Sequence, residues 1–293
     1  MRVGLIGAGA IARRAHLPAL RAAGAEVVAV CGGAGDSARE LAAEHGVELC
    51  PDWRSLLGRD DVDSVVVATP NALHAEQVLA AIGAGKHVLV EKPMVTSMAE
   101  GEQIVAAAAA TGSVVMAAHN ARFAPVVVEA RELARANEVS ALRLALRGGG
   151  PRSWSPGSDW FFDLDLAGGG VLLDLGVHLL DVARFVLDDE LEVTACMLRR
   201  DDGVDVEAEV ALVSRAGVRV DIAVSWAAPT PGFSLALDGP GGPLDVRPNL
   251  GVPADTVQAA FVRAVNGEGP AEPSAADGLA AVRLALAGYE AAR

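Results

Sequence analysis

Between Arg2 and Ala12 the chain reads RVGLIGAGAIA, a stretch that restricts what the following residues can fold into more than any other. Arg2 to Ile6 is a short apolar strand. Gly7-Ala8-Gly9-Ala10-Ile11-Ala12 then carries the spacing G-x-G-x-x-A, and a helix follows from about Ile11 to Ala23. In that context Gly7 permits the tight turn and Gly9 lets a backbone come close to a pyrophosphate. Ala12 lets the helix pack close to the strand. The helix start, at Ala10 and Ile11, offers free N–H groups and the positive end of its dipole. Without a ligand these residues would only be a tight turn. Their place between a first strand and a first helix points to a dinucleotide site.

Further strands alternate with helices. Glu26 to Cys31, Val47 to Cys50, Ser64 to Thr69, Lys86 to Glu91 and Ser113 to His119 read as strands. Helices are predicted from about Ser37 to His45, His74 to Ala84 and Ser97 to Ala110, with a helical turn at Trp53 to Leu57. The run SVVVAT is apolar without alternation, as in a parallel strand buried on both faces. This order predicts a doubly wound α/β parallel sheet over residues 1–120. Polar residues fall where those strands end: Thr69, Pro70 and Asn71, Glu91 and Lys92, His119 and Asn120. Ligands bind along that edge of open α/β sheets, so these residues and His74 are candidates for cofactor contact. His74 and Asn71 also suit a helix cap. Lys92, held between Glu91 and Pro93, is aimed at the crevice.

The second strand ends at Cys31-Gly32-Gly33-Ala34-Gly35, and the first acid is Asp36. Versions of this fold that take NAD place a carboxylate at that strand end, on the ribose hydroxyls. Two readings stay open here: NADP, with Ser37 or Arg39 near the 2′-phosphate, or a loosely held ribose.

The formal net charge of −14 opposes nucleic-acid binding, which needs a basic footprint. No apolar run approaches a membrane span, and the N-terminus has no targeting pattern, so a cytoplasmic protein is expected. Cys31, Cys50 and Cys196 are odd in number and scattered, which implies reduced thiols. No metal site is expected, since His74, His119 and His178 lack ligand-like spacing.

After a helix from about Phe123 to Asn137 the pattern changes. Val139 to Arg147, Leu191 to Leu198, Val204 to Val213, Val218 to Trp226 and Phe233 to Leu237 read as strands, several with period-two alternation. They predict a second, α+β domain over residues 121–293 with a mostly antiparallel, open-faced sheet. Its free face is a candidate oligomer surface, for a dimer or tetramer. Helices at about Ala254 to Val265 and Ala275 to Ala292 close the chain, the last packing back toward the first domain. Within this half, GGGVLLDLGVHLLDVARFVL, from Gly168 to Leu187, reads as a helix apolar almost all round. Leu172, Leu175, Leu179, Val182 and Val186 form one stripe, and Asp174, His178 and Asp181 another. Buried, those polar groups need partners or a wet cleft. The segment SWSPGSDWFFDLD, from Ser153 to Asp165, is read as a loop crossing the cleft or as an apolar anchor for the helix start.

Four stretches together resemble the glucose–fructose oxidoreductase, inositol dehydrogenase and rhizopine-catabolism (Gfo/Idh/MocA) family: GLIGAGAIARRAHLPAL, ATPNALHAEQVLAAIGAGKHVLVEKPM, AAHNARFAP and WFFDLDLAGGGVLLDLGVHLLD. The resemblance runs from residue 1 to about Phe185 and resumes weakly in the last helices. It implies a Rossmann domain followed by a substrate domain, with NAD or NADP as cofactor. It implies that Lys92 of E-K-P, and Asp174 and His178 of D-x-G-x-H, line the place where a substrate hydroxyl meets the nicotinamide. It also implies a cis bond before Pro93. The substrate class it implies is a small polyhydroxylated one: a sugar, nucleotide-sugar or cyclitol. Arg122 and Trp160 are added as candidate substrate contacts. His178 would exchange the hydroxyl proton, Asp174 would orient it or bind a neighbouring hydroxyl, and Lys92 would place positive charge at the oxygen or share the proton relay. The chain departs from the family in two ways, lacking the strand-two carboxylate and having a short second domain. Both departures would also fit a non-catalytic dinucleotide sensor. The joint presence of Lys92, Asp174 and His178 argues against that reading.

Overall fold

The computed structural model describes residues 1–33, 35–155, 159–246 and 255–292. The chain divides into two units: Met1–Ala118 with Asp255–Leu279, and His119–Ala254 with Ala280–Arg293.

In the first unit six strands form one parallel sheet: β1 (Arg2–Ile6), β2 (Glu26–Cys31), β3 (Glu48–Leu49), β4 (Ser64–Val67), β5 (His87–Val90) and β6 (Val115–Ala117). Their order is β3-β2-β1-β4-β5-β6. It reverses direction between β1 and β4, the switch point at which this topology opens a crevice. Every residue of β4 is buried, as a parallel strand covered on both faces requires. The helices are α1 (Leu17–Ala22), α2 (Ser37–His45), α3 (Trp53–Leu57), α4 (His74–Gly83) and α5 (Met98–Thr111). Ser97 caps α5 by accepting from Glu100 N, and Gly112 ends it in the left-handed region at φ 71°. The first helix does not begin as a regular α-helix: Ala12–His16 forms a π-turn that runs on into α1.

The second unit begins with a 3-10 turn at Asn120–Phe123 and continues with α6 (Pro125–Ala136). Its sheet contains β7 (Ala141–Gly149), β8 (Leu191–Asp201), β9 (Val204–Ser214), β10 (Arg219–Ser225), β11 (Ala227–Gly239) and β12 (Gly242–Leu244), in the order β12-β11-β7-β10-β9-β8. Short helices α7 (Pro151–Trp154) and α8 (Leu164–Ala167) precede α9 (Val177–Leu187), which follows a second π-turn at Leu172–Gly176. One sheet face packs under that helix: Leu142, Leu144, Val210, Leu212, Val220, Ile222 and Val224 share a core with Leu172, Leu179, Val182 and Val186. The predicted apolar stripe is therefore the buried one, except that Leu175 is only partly enclosed. α10 (Val257–Val265) and α11 (Ala275–Ala291) close the chain, and the division between units falls within α11.

The second sheet is mostly antiparallel, as expected, with one parallel pairing, between β7 and β10. β11 starts at Ala227, well before Phe233, because its register shifts between Ala227 and Gly232. That irregularity accommodates a Pro-containing stretch that reads as a strand breaker. Ala34, the residues 156–158 of the aromatic segment and Ala254 lie outside the described residues.

Candidate functional site

In the first unit the glycine turn sits at the switch point. Gly7 has φ +107°, and its N–H donates to Cys31 O at 2.9 Å. A Cβ there would lie 2.4 Å from Ala68 O, so only glycine lets β1 turn this close to the end of β4. Gly9 differs: a Cβ built on it meets nothing within 4 Å. Gly9 and Ile11 are exposed and Ala10 partly so, and the helix start they form faces open space. That open start of a helix, placed where a backbone must come close to phosphate, fits a dinucleotide.

The other strand ends are tightly built. Thr69 Oγ1 donates to Gln77 Oε1 at 2.7 Å. Pro70 precedes a 3-10 turn at Asn71–Leu73, and Asn71 is buried in it. His74, expected beside the cofactor, is fully enclosed. Its Nδ1 lies 2.9 Å from Pro93 O and its Nε2 2.8 Å from Thr69 O. Each ring nitrogen faces a backbone carbonyl, to one of which a neutral ring donates, and the ring ties the end of β4 to the segment after β5. Burial pushes its pKa down, against the pull of those two carbonyls. The Lys92-Pro93 bond is cis, as the family pattern implied.

Glu91 and Lys92 follow β5. Glu91 Oε1 is 2.8 Å from His16 Nε2, and Glu91 Oε2 accepts the Lys92 N–H at 3.1 Å. Behind His16, Gln258 Nε2 lies 3.1 Å from its Nδ1. Burial works against the charge on Glu91, but the hydrogen bond from His16, the nearby Lys92 charge and the Lys92 N–H outweigh it and hold the carboxyl below its usual range. The Glu91 side chain is 18% exposed and Lys92 is half-buried. Near β2, Ser37 begins α2 half-buried. Arg39 is exposed and donates to Asp36 at 2.6 Å.

In the second unit the D-x-G-x-H helix is held from its start. Asp205, buried, accepts from Gly170 N and Leu172 N at 2.8 Å each and from Tyr289 Oη at 3.0 Å. A Cβ on Gly170 would lie 2.1 Å from Asp205 O, and one on Gly169 2.4 Å from Tyr289 Oη. Burial, followed by the Asp205 charge, pushes the Tyr289 phenol well above its usual range. Asp174 lies on the π-turn, buried, and its Oδ2 accepts from Trp226 Nε1 at 3.0 Å. His178 is half-buried, with its ring edge-on to buried His119 at 6.3 Å.

Arg122 and Asp181 form a buried pair. Arg122, expected at the substrate, is buried and donates to Asp181 through Nε at 2.7 Å and Nη2 at 2.5 Å. Two of its donors are thus committed to a pair that joins the 3-10 turn at Asn120–Phe123 to α9. Trp160 stacks on Phe161 at 3.8 Å, and Phe162 packs edge-on to Trp226 at 5.9 Å. The described part of the aromatic segment therefore anchors the helix region, through the Trp226 that holds Asp174. Asn120 is exposed at the start of the same 3-10 turn. Sequence reasoning did not single out His16, Gln258, Trp226, Asp205 or Tyr289. The only available signal was polarity at positions of otherwise apolar elements.

The strand order, the glycine turn and the open helix start define a dinucleotide-binding protein of the Rossmann class. Residues 1–119 match the oxidoreductase family with an NAD-binding Rossmann fold, and residues 127–244 match the GFO/IDH/MocA C-terminal domain. The chain belongs to the GFO/IDH/MocA family, and NAD or NADP is its cofactor type. It is 38% identical to a 1,5-anhydro-D-fructose reductase of Ensifer adhaerens over 64% of this chain and 57% of that protein. It thus spans less than two thirds of that relative's length. With a dTDP-3,4-didehydro-2,6-dideoxy-alpha-D-glucose 3-reductase of Streptomyces antibioticus it shares 34% identity over 76% of this chain and 68% of the relative. The crystal structure of GenD2 from gentamicin A biosynthesis, in complex with NAD, superposes with a TM-score of 0.87 at 27% identity. That match covers 100% of this chain and 94% of GenD2. Among the described residues, no helix is long and apolar enough to cross a membrane.

Proposed function

We propose that the protein transfers a hydride between NAD(P) and a secondary alcohol or ketone of a sugar, nucleotide-sugar or cyclitol. One observation carries the reading. β1, β4 and β5 are neighbours in one parallel sheet, so the open glycine turn, Thr69 and Lys92 all follow strand ends on the same edge. The named activities of the relatives, on an anhydrosugar and a dTDP-sugar, support the substrate class.

A bound nicotinamide dinucleotide supplies the hydride acceptor, or the donor in its reduced form. The rest falls to this chain. The N–H groups at Ala10 and Ile11 take the pyrophosphate, with Gly9 leaving room for it. With NADP as the cofactor, Ser37 or Arg39 would meet its 2′-phosphate. Lys92 places a positive charge at the substrate oxygen as alkoxide character develops, or shares the proton relay. His178 takes the hydroxyl proton in the oxidising direction and returns it in the reducing one, a role suited to an imidazole near neutral pH. Asp174, held by the Trp226 indole, orients His178 or binds a neighbouring hydroxyl. The second sheet's outer face, where Met197 is 66% exposed, serves as a contact between copies of the chain in a cytoplasmic homo-oligomer.

The test is turnover of levoglucosan, 1,5-anhydro-D-fructose and myo-inositol with NAD(H) and NADP(H). Lys92→Ala and His178→Ala should each lower kcat/KM about 100-fold or more on whichever substrate is used, in line with the loss of a general acid–base or charge-stabilising group. Wild-type rates in both variants would remove these residues from the mechanism.

A further inference from the structure

The chain holds only two lysines, Lys86 and Lys92, while its other 22 cationic residues are arginines. Lys86 has a structural reason: its Nζ donates to Arg59 O and Val62 O at 2.8 Å each. Lys92 stands in a chain that otherwise uses a guanidinium almost everywhere. The ammonium differs from a guanidinium in being a compact charge that can give up its proton. A lysine kept for that property needs its backbone and neighbouring charge fixed, and the structure shows what fixes them.

The Glu91 carboxylate is shared between two donors on opposite sides. Oε2 takes the Lys92 peptide N–H, and Oε1 faces His16 Nε2. His16 is wholly buried, and its other nitrogen faces the Gln258 amide nitrogen, which can only donate. The bonds therefore converge on the Glu91 carboxylate: Gln258 Nε2–H to His16 Nδ1 and His16 Nε2–H to Glu91 Oε1 from one side, Lys92 N–H to Glu91 Oε2 from the other. They connect three distant stretches of the first unit. His16 ends the π-turn that opens the first helix, Glu91 follows β5, and Gln258 lies on α10. On the other side of Lys92, His74 grips Pro93 O. A buried imidazole given one donor and one acceptor in this way has a single orientation, and it passes that orientation to the carboxylate.

We propose that the buried chain Gln258–His16–Glu91 is a positioning unit for Lys92, fixing the peptide that carries the amine and holding a carboxylate beside it. This rests on Lys92 being the reacting amine of the proposed function. None of the three residues is a catalytic residue; each acts through the next.

The experiment uses the full chain with His16→Leu, His16→Gln and Gln258→Met. Two readouts are taken besides turnover: NADH and NADPH affinity by fluorescence, and the ¹³C signals of reductively methylated lysines, assigned with Lys86→Arg. His16→Leu should lower kcat about tenfold or more, with cofactor Kd changed less than about threefold, the split expected when an interaction acts in the transition state and not in binding. The Lys92 signal should move while that of Lys86 stays. His16→Gln, which can still present an N–H to Glu91, should recover most of kcat. Gln258→Met should give a smaller loss of the same kind and serves if His16→Leu does not fold. A Lys92 signal that stays put in all three variants overturns the proposal, and so does an equal loss of kcat in His16→Gln and His16→Leu. If the wild-type protein turns over none of the sugars tested, the oxidoreductase reading fails, and the lysine signals still decide whether the chain positions Lys92.

Discussion

Two helices in this chain start from glycines and a π-turn, and their starts are finished in opposite ways. At Gly7–His16 the helix start is left open: Gly9 has nothing within 4 Å of its Cβ position. At Gly168–Gly176 it is filled from within: Asp205 takes the N–H groups of Gly170 and Leu172, and Tyr289 closes over Gly169. A helix start carries unpaired N–H groups and a positive dipole end, and something anionic must answer them. In the second unit the protein supplies its own carboxylate, which makes that start a structural joint. In the first, among the described residues, no side chain caps the start, and under the proposed function it receives a ligand's phosphates. The glycines have correspondingly different jobs, close packing at one helix start and clearance at the other.

This contrast predicts where stability and binding separate. The largest effect is expected from Asp205→Ala, which strands the buried Leu172 N–H and the Tyr289 hydroxyl and leaves Gly170 N–H only the longer contact to Tyr289 Oη at 3.2 Å. Unsatisfied buried donors cost about 1–3 kcal/mol each, so a loss of about 3 kcal/mol or more is expected in denaturant unfolding, with NADH affinity in surviving folded protein unchanged. A loss under about 1 kcal/mol would mean that the second helix start does not depend on its internal carboxylate.

Acid should act next, and on the first unit. Burial lowers the pKa of His74, so the folded state resists a proton that the unfolded chain accepts. The stability this group contributes is present above the unfolded value and lost as pH falls below about 6.5, at up to about 1.4 kcal/mol per pH unit. Thermal melts between pH 7 and pH 5 should fall less steeply in His74→Gln than in wild type. Equal slopes would show that His74 is not held neutral. The smallest effect is expected from Tyr289→Phe, which removes one hydroxyl but leaves the Asp205 bonds to Gly170 and Leu172, about 1 kcal/mol. A cost near that of Asp205→Ala would place the weight of the joint on the phenol instead.

How much of this could be read from sequence depended on distance along the chain. The first sheet was legible because parallel, doubly buried strands appear as apolar runs such as SVVV, each ending at its polar residues. Lys92, Asp174 and His178 were legible as motif positions. The partners that hold them were not. Gly170 and Tyr289 are 119 residues apart, and His16 and Gln258 are 242. No local period reports such pairs. The sequence marks Asp181 as a polar group in need of a partner, but not which one; in the fold Arg122, 59 residues away, pairs with it. β11 was cut short because proline marks a break unless a register shift absorbs it.

Whether the open helix start receives a dinucleotide is decided by a fluorescence titration of wild type and Gly9→Ala with NADH and NADPH, beside their melting temperatures. Wild type should bind at least one cofactor at about 1–100 μM, within the range common for enzyme ligands. Gly9→Ala should bind at least about tenfold more weakly, as the added methyl occupies the clearance a phosphate needs, with no change in melting temperature. Equal affinity in the two proteins, or no binding of either cofactor by wild type, would contradict the assignment of that helix start to a ligand's phosphates.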